Sequence, residues 1–150
     1  MAPETASNPI ISVKEIMKTP AVTVQKSDGA SKVAKLMAKN DVGSIIVLDK
    51  KGNPVGIVTE RDLVIRVLAK SKSDAKVIDI MSTPLATVFP ETGIEQAAKM
   101  MSKLEIRRLA VMEKGKLIGV ISSKDIVSVT PALIEVVSER AKISAGAPRR

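Results

Sequence analysis

Two short stretches hold residues that can do chemistry together: Gly56-Ile57-Val58-Thr59-Glu60-Arg61-Asp62 and Gly119-Val120-Ile121-Ser122-Ser123-Lys124-Asp125. Both read glycine, two apolar residues, a hydroxyl, a variable position, a cation and an aspartate. A carboxylate has only acceptor sites, so Asp62 or Asp125 can take both hydroxyls of a ribose. Thr59 or Ser122, with Arg61 or Lys124, can reach a phosphate. The same spacing also satisfies the rule for a capping box, in which hydroxyl and acid together satisfy the first backbone N–H groups of a helix. A first-turn acid stabilises a helix by about 0.3–1 kcal/mol with no ligand at all. Three things raise the pattern above a pair of caps: it occurs twice, it carries a cation, and it follows an apolar run. A junction from strand to helix leaves N–H groups free for an anion.

Composition restricts what else the chain can do. Its 150 residues include no Cys, so disulfides, thiolate zinc sites and cysteine nucleophiles are excluded. It has no His, which removes the commonest general base and the commonest metal ligand. Phe89 is its one aromatic residue, and one ring cannot form a stacking platform for single-stranded nucleic acid. No catalytic residue set, metal site or required cofactor is expected. A net charge of +8 favours anionic ligands, although a lysine-rich solvated surface explains much of it. Residues 1–9 are polar and include Glu4, so no secretory signal is expected there. No apolar run approaches the roughly 20 residues that span a bilayer. A cytoplasmic protein without membrane contact is the expectation.

The elements that position the two motifs follow from an internal repeat. Val13, Ile16, Met17, Thr19, Pro20, Thr23 and Val24 recur as Val77, Ile80, Met81, Thr83, Pro84, Thr87 and Val88. Ala34, Lys35, Met37, Lys39, Val47 and Lys50 return as Ala98, Lys99, Met101, Lys103, Val111 and Lys114. One residue is then lost in a turn, and Gly52, Gly56 and Asp62 match Gly115, Gly119 and Asp125. A repeat at fixed period predicts two copies of one supersecondary unit, here about a pseudo-twofold axis with a cleft between them. Each copy reads helical turn, short strand, helix, two strands joined by a tight turn, and helix. Ser27 is the expected N-cap of a helix running to Lys39, with Val33, Leu36, Met37 and Asn40 on one side. Ser44 to Leu48 is short and β-branched, a buried strand that turns through Asp49 to Asn53 into Pro54 to Val58. In the second copy, Ile94, Ala97, Ala98, Met101 and Leu104 form the helical stripe. Leu109 to Met112 pairs with Leu117 to Ile121. Met37, Met100 and Met101 are expected as core or dimer-packing residues.

As a set, these motifs resemble a tandem pair of CBS domains, the Bateman module, over about Val13 to Val129. The resemblance rests on Val13-Lys14-Glu15-Ile16-Met17 with Thr19-Pro20, on Ser44-Ile45-Ile46-Val47, on Gly56 to Asp62, and on the second-half counterparts, Arg107-Arg108-Leu109-Ala110-Val111 among them. It implies an α/β fold of two pseudo-twofold-related β-α-β-β-α units packed through their sheets. The expected divisions are a flexible start (1–9), unit 1 (10–70), a linker (71–76), unit 2 (77–130), a further helix (131–143) and a flexible basic tail (144–150). The resemblance also implies a sensor that binds AMP, ADP, ATP or S-adenosylmethionine and regulates a partner protein, with a homodimer expected.

The resemblance implies pockets that mix the two units. Thr59, Arg61 and Asp62 would lie opposite Thr83, Pro84, Leu85, Ala86 and Thr87, with Arg107 and Arg108. Ser122, Lys124 and Asp125 would lie opposite Thr19, Pro20, Ala21, Val22 and Thr23, with Val42, Gly43, Ser44 and Ile45. On that assignment the aspartates hold ribose, and the arginine pair gives the Asp62 pocket the stronger preference for phosphate, opposed by Glu60. Two other readings stand beside this one. One is a CBS-fold interaction module that binds no nucleotide. The other is a basic protein associated with nucleic acid, although no helix-turn-helix or aromatic platform supports sequence-specific binding.

Overall fold

The structure, a computed structural model, describes residues 11–129. The expected starting segment 1–9, the helix at 131–143 and the tail at 144–150 lie outside the described residues. The elements are α1 (Val13–Ile16), β1 (Thr23–Gln25), α2 (Ala30–Asn40), β2 (Ser44–Leu48), β3 (Pro54–Thr59), α3 (Glu60–Asp62) running into a π-helical stretch (Leu63–Leu68), α4 (Val77–Ile80), β4 (Thr87–Val88), α5 (Ile94–Leu104), β5 (Arg108–Glu113), β6 (Lys116–Ser122) and α6 (Ser123–Ser128). The strands form two sheets, β1-β2-β3 and β4-β5-β6. In each, the first pair is parallel and the second is an antiparallel hairpin. The hairpin turns place Gly52 and Gly115 at φ of 82° and 76°, the left-handed conformation that such turns require.

Alternation along the central strands shows how the sheets are covered. Ile45 and Val47 of β2 join the core formed with Val33 and Met37 of α2. Leu109 and Val111 of β5 join the corresponding core with Ala97 and Met101 of α5. Successive strand residues point to opposite faces, so Ile46 and Ala110 face away from these cores. Both are nonetheless fully buried. Each sheet is therefore sandwiched between its own helices and the other unit.

The helical turns at the start of each repeat are exchanged. Val13, Ile16 and Met17 pack into the core of the second unit. Val77, Ile80 and Met81 pack into the core of the first. Backbone bonds fix the exchange. Val13 N donates to Thr92 O at 2.8 Å and Val77 N to Asp28 O at 2.8 Å. Lys18 exchanges bonds of 2.9 and 3.0 Å with Val120, and Ser82 exchanges bonds of 2.8 and 3.1 Å with Ile57. Each sheet thus gains a short added bridge from the opposite half of the chain. Gly119 and Gly56 make room for it. A Cβ on Gly119 would lie 2.7 Å from Lys18 O, and one on Gly56 would lie 2.8 Å from Met81 Sδ and 3.1 Å from Ser82 O.

Several sequence expectations shift for local reasons. The α2 helix begins at Ala30, with Gly29 rather than Ser27 as its N-cap. The docked segment explains this, since Ala30 N donates to Ala75 O at 2.9 Å and holds the preceding backbone extended. Asp28 instead closes the turn, accepting from Gln25 N at 2.8 Å, and that bond holds its carboxyl below the usual carboxylate range. Asn40 is exposed, bonded back to Leu36 O, and does not join the core stripe. Beyond Asp62 the helix widens to i→i+5 bonding, as in Ala69 N to Val64 O. The wider winding leaves Val67 in the core but turns Val64 and Leu68 to solvent. Leu104, at the end of α5, is also exposed, whereas Met37 and Met101 are core residues as their spacing predicts.

The exchange makes a prediction. Gly119→Ala should lower stability by about 1–3 kcal/mol, the usual cost of overpacking against backbone that cannot move aside. Gly29→Ala, which meets nothing closer than 4.0 Å, is the control and should change the urea midpoint far less. Equal shifts in the two variants would show that the contact with Lys18 is not tight.

Candidate functional site

The two aspartates sit in the same local geometry. Thr59 and Ser122 are N-caps in extended backbone, at the ends of β3 and β6, and each completes a capping box with its aspartate. Thr59 N donates to Asp62 Oδ2 at 2.9 Å, and Ser122 N donates to Asp125 Oδ2 at 2.9 Å. In return the backbone N–H of each aspartate donates to the capping hydroxyl. The first helical N–H groups are already taken: Glu60 N by Gly43 O at 3.1 Å and Ser123 N by Arg107 O at 2.8 Å. These two N–H groups, expected to be free for an anion, are therefore occupied.

Beyond the cap the two sites diverge. Asp62 is 6% exposed and is the one buried charged residue among those described. Ser82 Oγ lies 3.0 Å from its Oδ1 and 3.2 Å from its Oδ2, Thr59 Oγ1 lies 3.2 Å from Oδ2, and Arg66 Nε lies 3.7 Å from Oδ1. Asp125 is half-buried, and among the described residues its Oδ1 accepts no hydrogen bond. The residue lines a cleft of about 600 Å³ between the units, a volume in the range of small-ligand sites.

The cleft brings together much of what the resemblance assigned to Asp125. Ser122, Lys124 and Asp125 form one wall, and Pro20, Ala21, Val22, Val42, Gly43 and Ser44 form the other. Thr19 is not among the lining residues and donates to Ile118 O at 2.7 Å. Thr23 belongs to β1, and Ile45 points into the first core, so neither faces the cleft. On the Asp62 side, Arg61, Thr83, Pro84 and Thr87 are exposed, Leu85 is half-buried, and Ala86 packs on the second core.

The arginine pair requires a correction. The resemblance set Arg107 and Arg108 across from Asp62, whereas both line the Asp125 cleft. The bond from Ser123 N to Arg107 O ties the start of β5 to the start of α6, and so places both arginines beside the second motif. Glu60 reaches the same cleft from the first unit. A Cβ on Gly43 would lie 2.6 Å from Glu60 Oε1 and 2.7 Å from Arg108 Nη2, so the absence of a side chain at position 43 leaves room for both charged ends. Lys18 and Asp41 also line the cleft and were not singled out from sequence. Lys18 was open to recognition, since it stands where the other repeat has Ser82. In all, four cations, Lys18, Arg107, Arg108 and Lys124, and three acids, Asp41, Glu60 and Asp125, line the cleft. That arrangement suits a ligand with a hydroxyl-bearing end at Asp125 and an anionic end near the guanidinium groups.

Among the described residues no helix is long and apolar enough to cross a membrane. Comparison with known proteins gives consistent results. The CBS domain family matches residues 13–69 and 77–131. An uncharacterized protein of Methanopyrus kandleri is 37% identical over 135 residues, covering 88% of this chain and 69% of its own. A CBS domain protein of Pyrobaculum aerophilum, solved in complex with AMP, is 30% identical with a TM-score of 0.74, covering 85% of this chain and 99% of that one. The CBS domain pair of protein MJ0100, solved with 5′-methylthioadenosine and S-adenosyl-L-methionine, is 26% identical with a TM-score of 0.76, covering 83% and 98%. Both halves of the repeat are matched and both sheets are present, so this chain belongs to the CBS domain family as a tandem pair.

Proposed function

We propose that the chain is a regulatory module that binds a phosphate-bearing adenosine nucleotide in the Asp125 cleft and alters the activity of a partner protein. The observation that carries this reading is the meeting, in one cleft between the units, of two arginines and an aspartate whose Oδ1 accepts no hydrogen bond among the described residues. The carboxylate takes ribose hydroxyls as acceptor only. The short apolar arm Pro20-Ala21-Val22 offers a flat contact for a base. Arg108, Arg107 and Lys124 take the phosphate, and Glu60 limits how much negative charge the cleft accepts. The AMP complex of the Pyrobaculum protein supports the ligand class. S-adenosylmethionine is the second reading, supported by the MJ0100 complex, and its cationic sulfonium makes it the poorer match for this arginine pair.

The ligand would touch both halves of the chain. The arm carrying Pro20 to Val22 leaves the bridge between Lys18 and Val120, while Asp125 and Arg108 belong to the second unit. Binding therefore joins the arm, the first unit and the second, and changes in their relative placement are the means by which occupancy reaches a partner.

Two measurements test this reading. AMP should raise the melting temperature, because a ligand bound only by the folded state adds RT ln(1 + [L]/Kd), about 2.7 kcal/mol at a hundredfold excess over Kd. Asp125→Asn should abolish that shift while costing about 1 kcal/mol of stability from the weakened cap. A full AMP shift in Asp125→Asn would count against ribose capture by this residue. In calorimetry, Arg108→Ala should weaken AMP by about tenfold or more and leave adenosine nearly unchanged, since charge-assisted bonds contribute roughly 1.5–3 kcal/mol. Equal losses for both ligands would mean that Arg108 shapes the cleft and does not read phosphate.

A further inference from the structure

The two repeats carry the same aspartate, yet among the described residues Asp62 is buried and Asp125 is half-buried. Asp62 has four neighbouring polar groups: the Thr59 backbone N–H and hydroxyl, the Ser82 hydroxyl and the Arg66 guanidinium. Ser82 lies on the exchanged segment just after α4 and pairs through its backbone with Ile57. Arg66 also donates from Nη1 to Ile80 O at 3.2 Å and to Met81 O at 3.0 Å, the carbonyls at the end of α4. One carboxylate thus gathers two side chains that add to the backbone bonds holding the α4 segment on the first unit. In the second repeat the positions of Ser82 and Arg66 are occupied by Lys18 and Val129. No hydrogen bond or ion pair joins Lys18 to Asp125 among the described residues, and the valine side chain offers no donor. Asp125 is accordingly half-buried, with one oxygen unbonded among the described residues.

We propose that Asp62 is a fastening residue for the exchanged α4 segment and not a ligand group, so that the chain takes one adenosine ligand, at Asp125, where its repeat would suggest two. A carboxylate buried to this degree, and already accepting from Thr59 and Ser82, gives a ribose little access, and a ribose that displaced Ser82 would leave that hydroxyl without its acceptor. The two halves thereby take different roles, the first holding the exchanged segment and the second holding the ligand. The fastening role stands on ligand-free geometry, whereas the stoichiometry rests on the nucleotide reading proposed above.

The test is made on the full chain in two parts. Urea unfolding without ligand compares wild type, Ser82→Ala, Asp62→Asn and the double variant. Ser82→Ala should lower the midpoint, and should lower it little further once Asp62 is already Asn, because the two share one bond. An unchanged midpoint in Ser82→Ala, or fully additive losses, would overturn the fastening role, and Ser82→Ala alone decides it if Asp62→Asn does not fold. Calorimetry with AMP on wild type and Ser82→Ala should give one site per chain in wild type, with AMP affinity in Ser82→Ala within about twofold of wild type. Two sites in wild type, or a loss of about tenfold or more in Ser82→Ala, would overturn the assignment of Asp62. Absence of any AMP binding in wild type would defeat the nucleotide reading and the stoichiometry together, while the urea series would still decide the fastening role.

Discussion

Everything in this structure depends on the backbone bridges that Lys18 makes with Val120 and Ser82 makes with Ile57. They hold each exchanged turn against the sheet of the opposite unit, and they require two glycines whose missing side chains allow the approach. Because of them, neither repeat has a complete core of its own sequence: Val13 completes one and Val77 the other. The cleft is a consequence of the same bridges. The chain leaves the Lys18 bridge as the arm Pro20 to Val22, which lies across from Asp125 only because Lys18 is fixed to β6.

The physical contrast between the repeats lies in what surrounds identical groups, and little in the groups themselves. Both aspartates cap their helices in the same way. One is enclosed by a hydroxyl and a guanidinium, and the other opens onto a cleft rich in cations. Burial raises the cost of leaving a polar group unpaired, so an enclosed carboxylate keeps its partners while an open one can exchange water for ligand. On the proposed assignment, the differences between the repeats at Ser82 against Lys18 and Arg66 against Val129 separate a fastening role from a binding role.

Much of this was legible in sequence. The repeat disclosed two units, the β-branched runs disclosed the central strands, and the capping spacing disclosed where Thr59 and Ser122 stand. The exchange was not legible, and the reason is specific: Val13-Ile16-Met17 and Val77-Ile80-Met81 are the same residues, so local pattern cannot say which core either turn enters. The winding after Asp62 was also hidden, since an i→i+5 stretch has no apolar period of its own in so short a segment. The position of Arg107 and Arg108 followed from one backbone bond, Ser123 N to Arg107 O, between residues whose types give no sign of it. The asymmetry, by contrast, was written in the alignment of the two repeats, in Lys18 against Ser82 and Val129 against Arg66.

A crystal structure of the chain grown with AMP would probe the division between the two aspartates most directly. One nucleotide per chain is predicted, its ribose hydroxyls on Asp125, its base against Pro20 to Val22, and its phosphate within hydrogen-bond reach of Arg108, with Asp62 still bonded to Ser82. A nucleotide whose ribose lies on Asp62 would contradict that division, and one in the Asp125 cleft with Arg107 and Arg108 both turned to solvent would contradict the role given to the arginines.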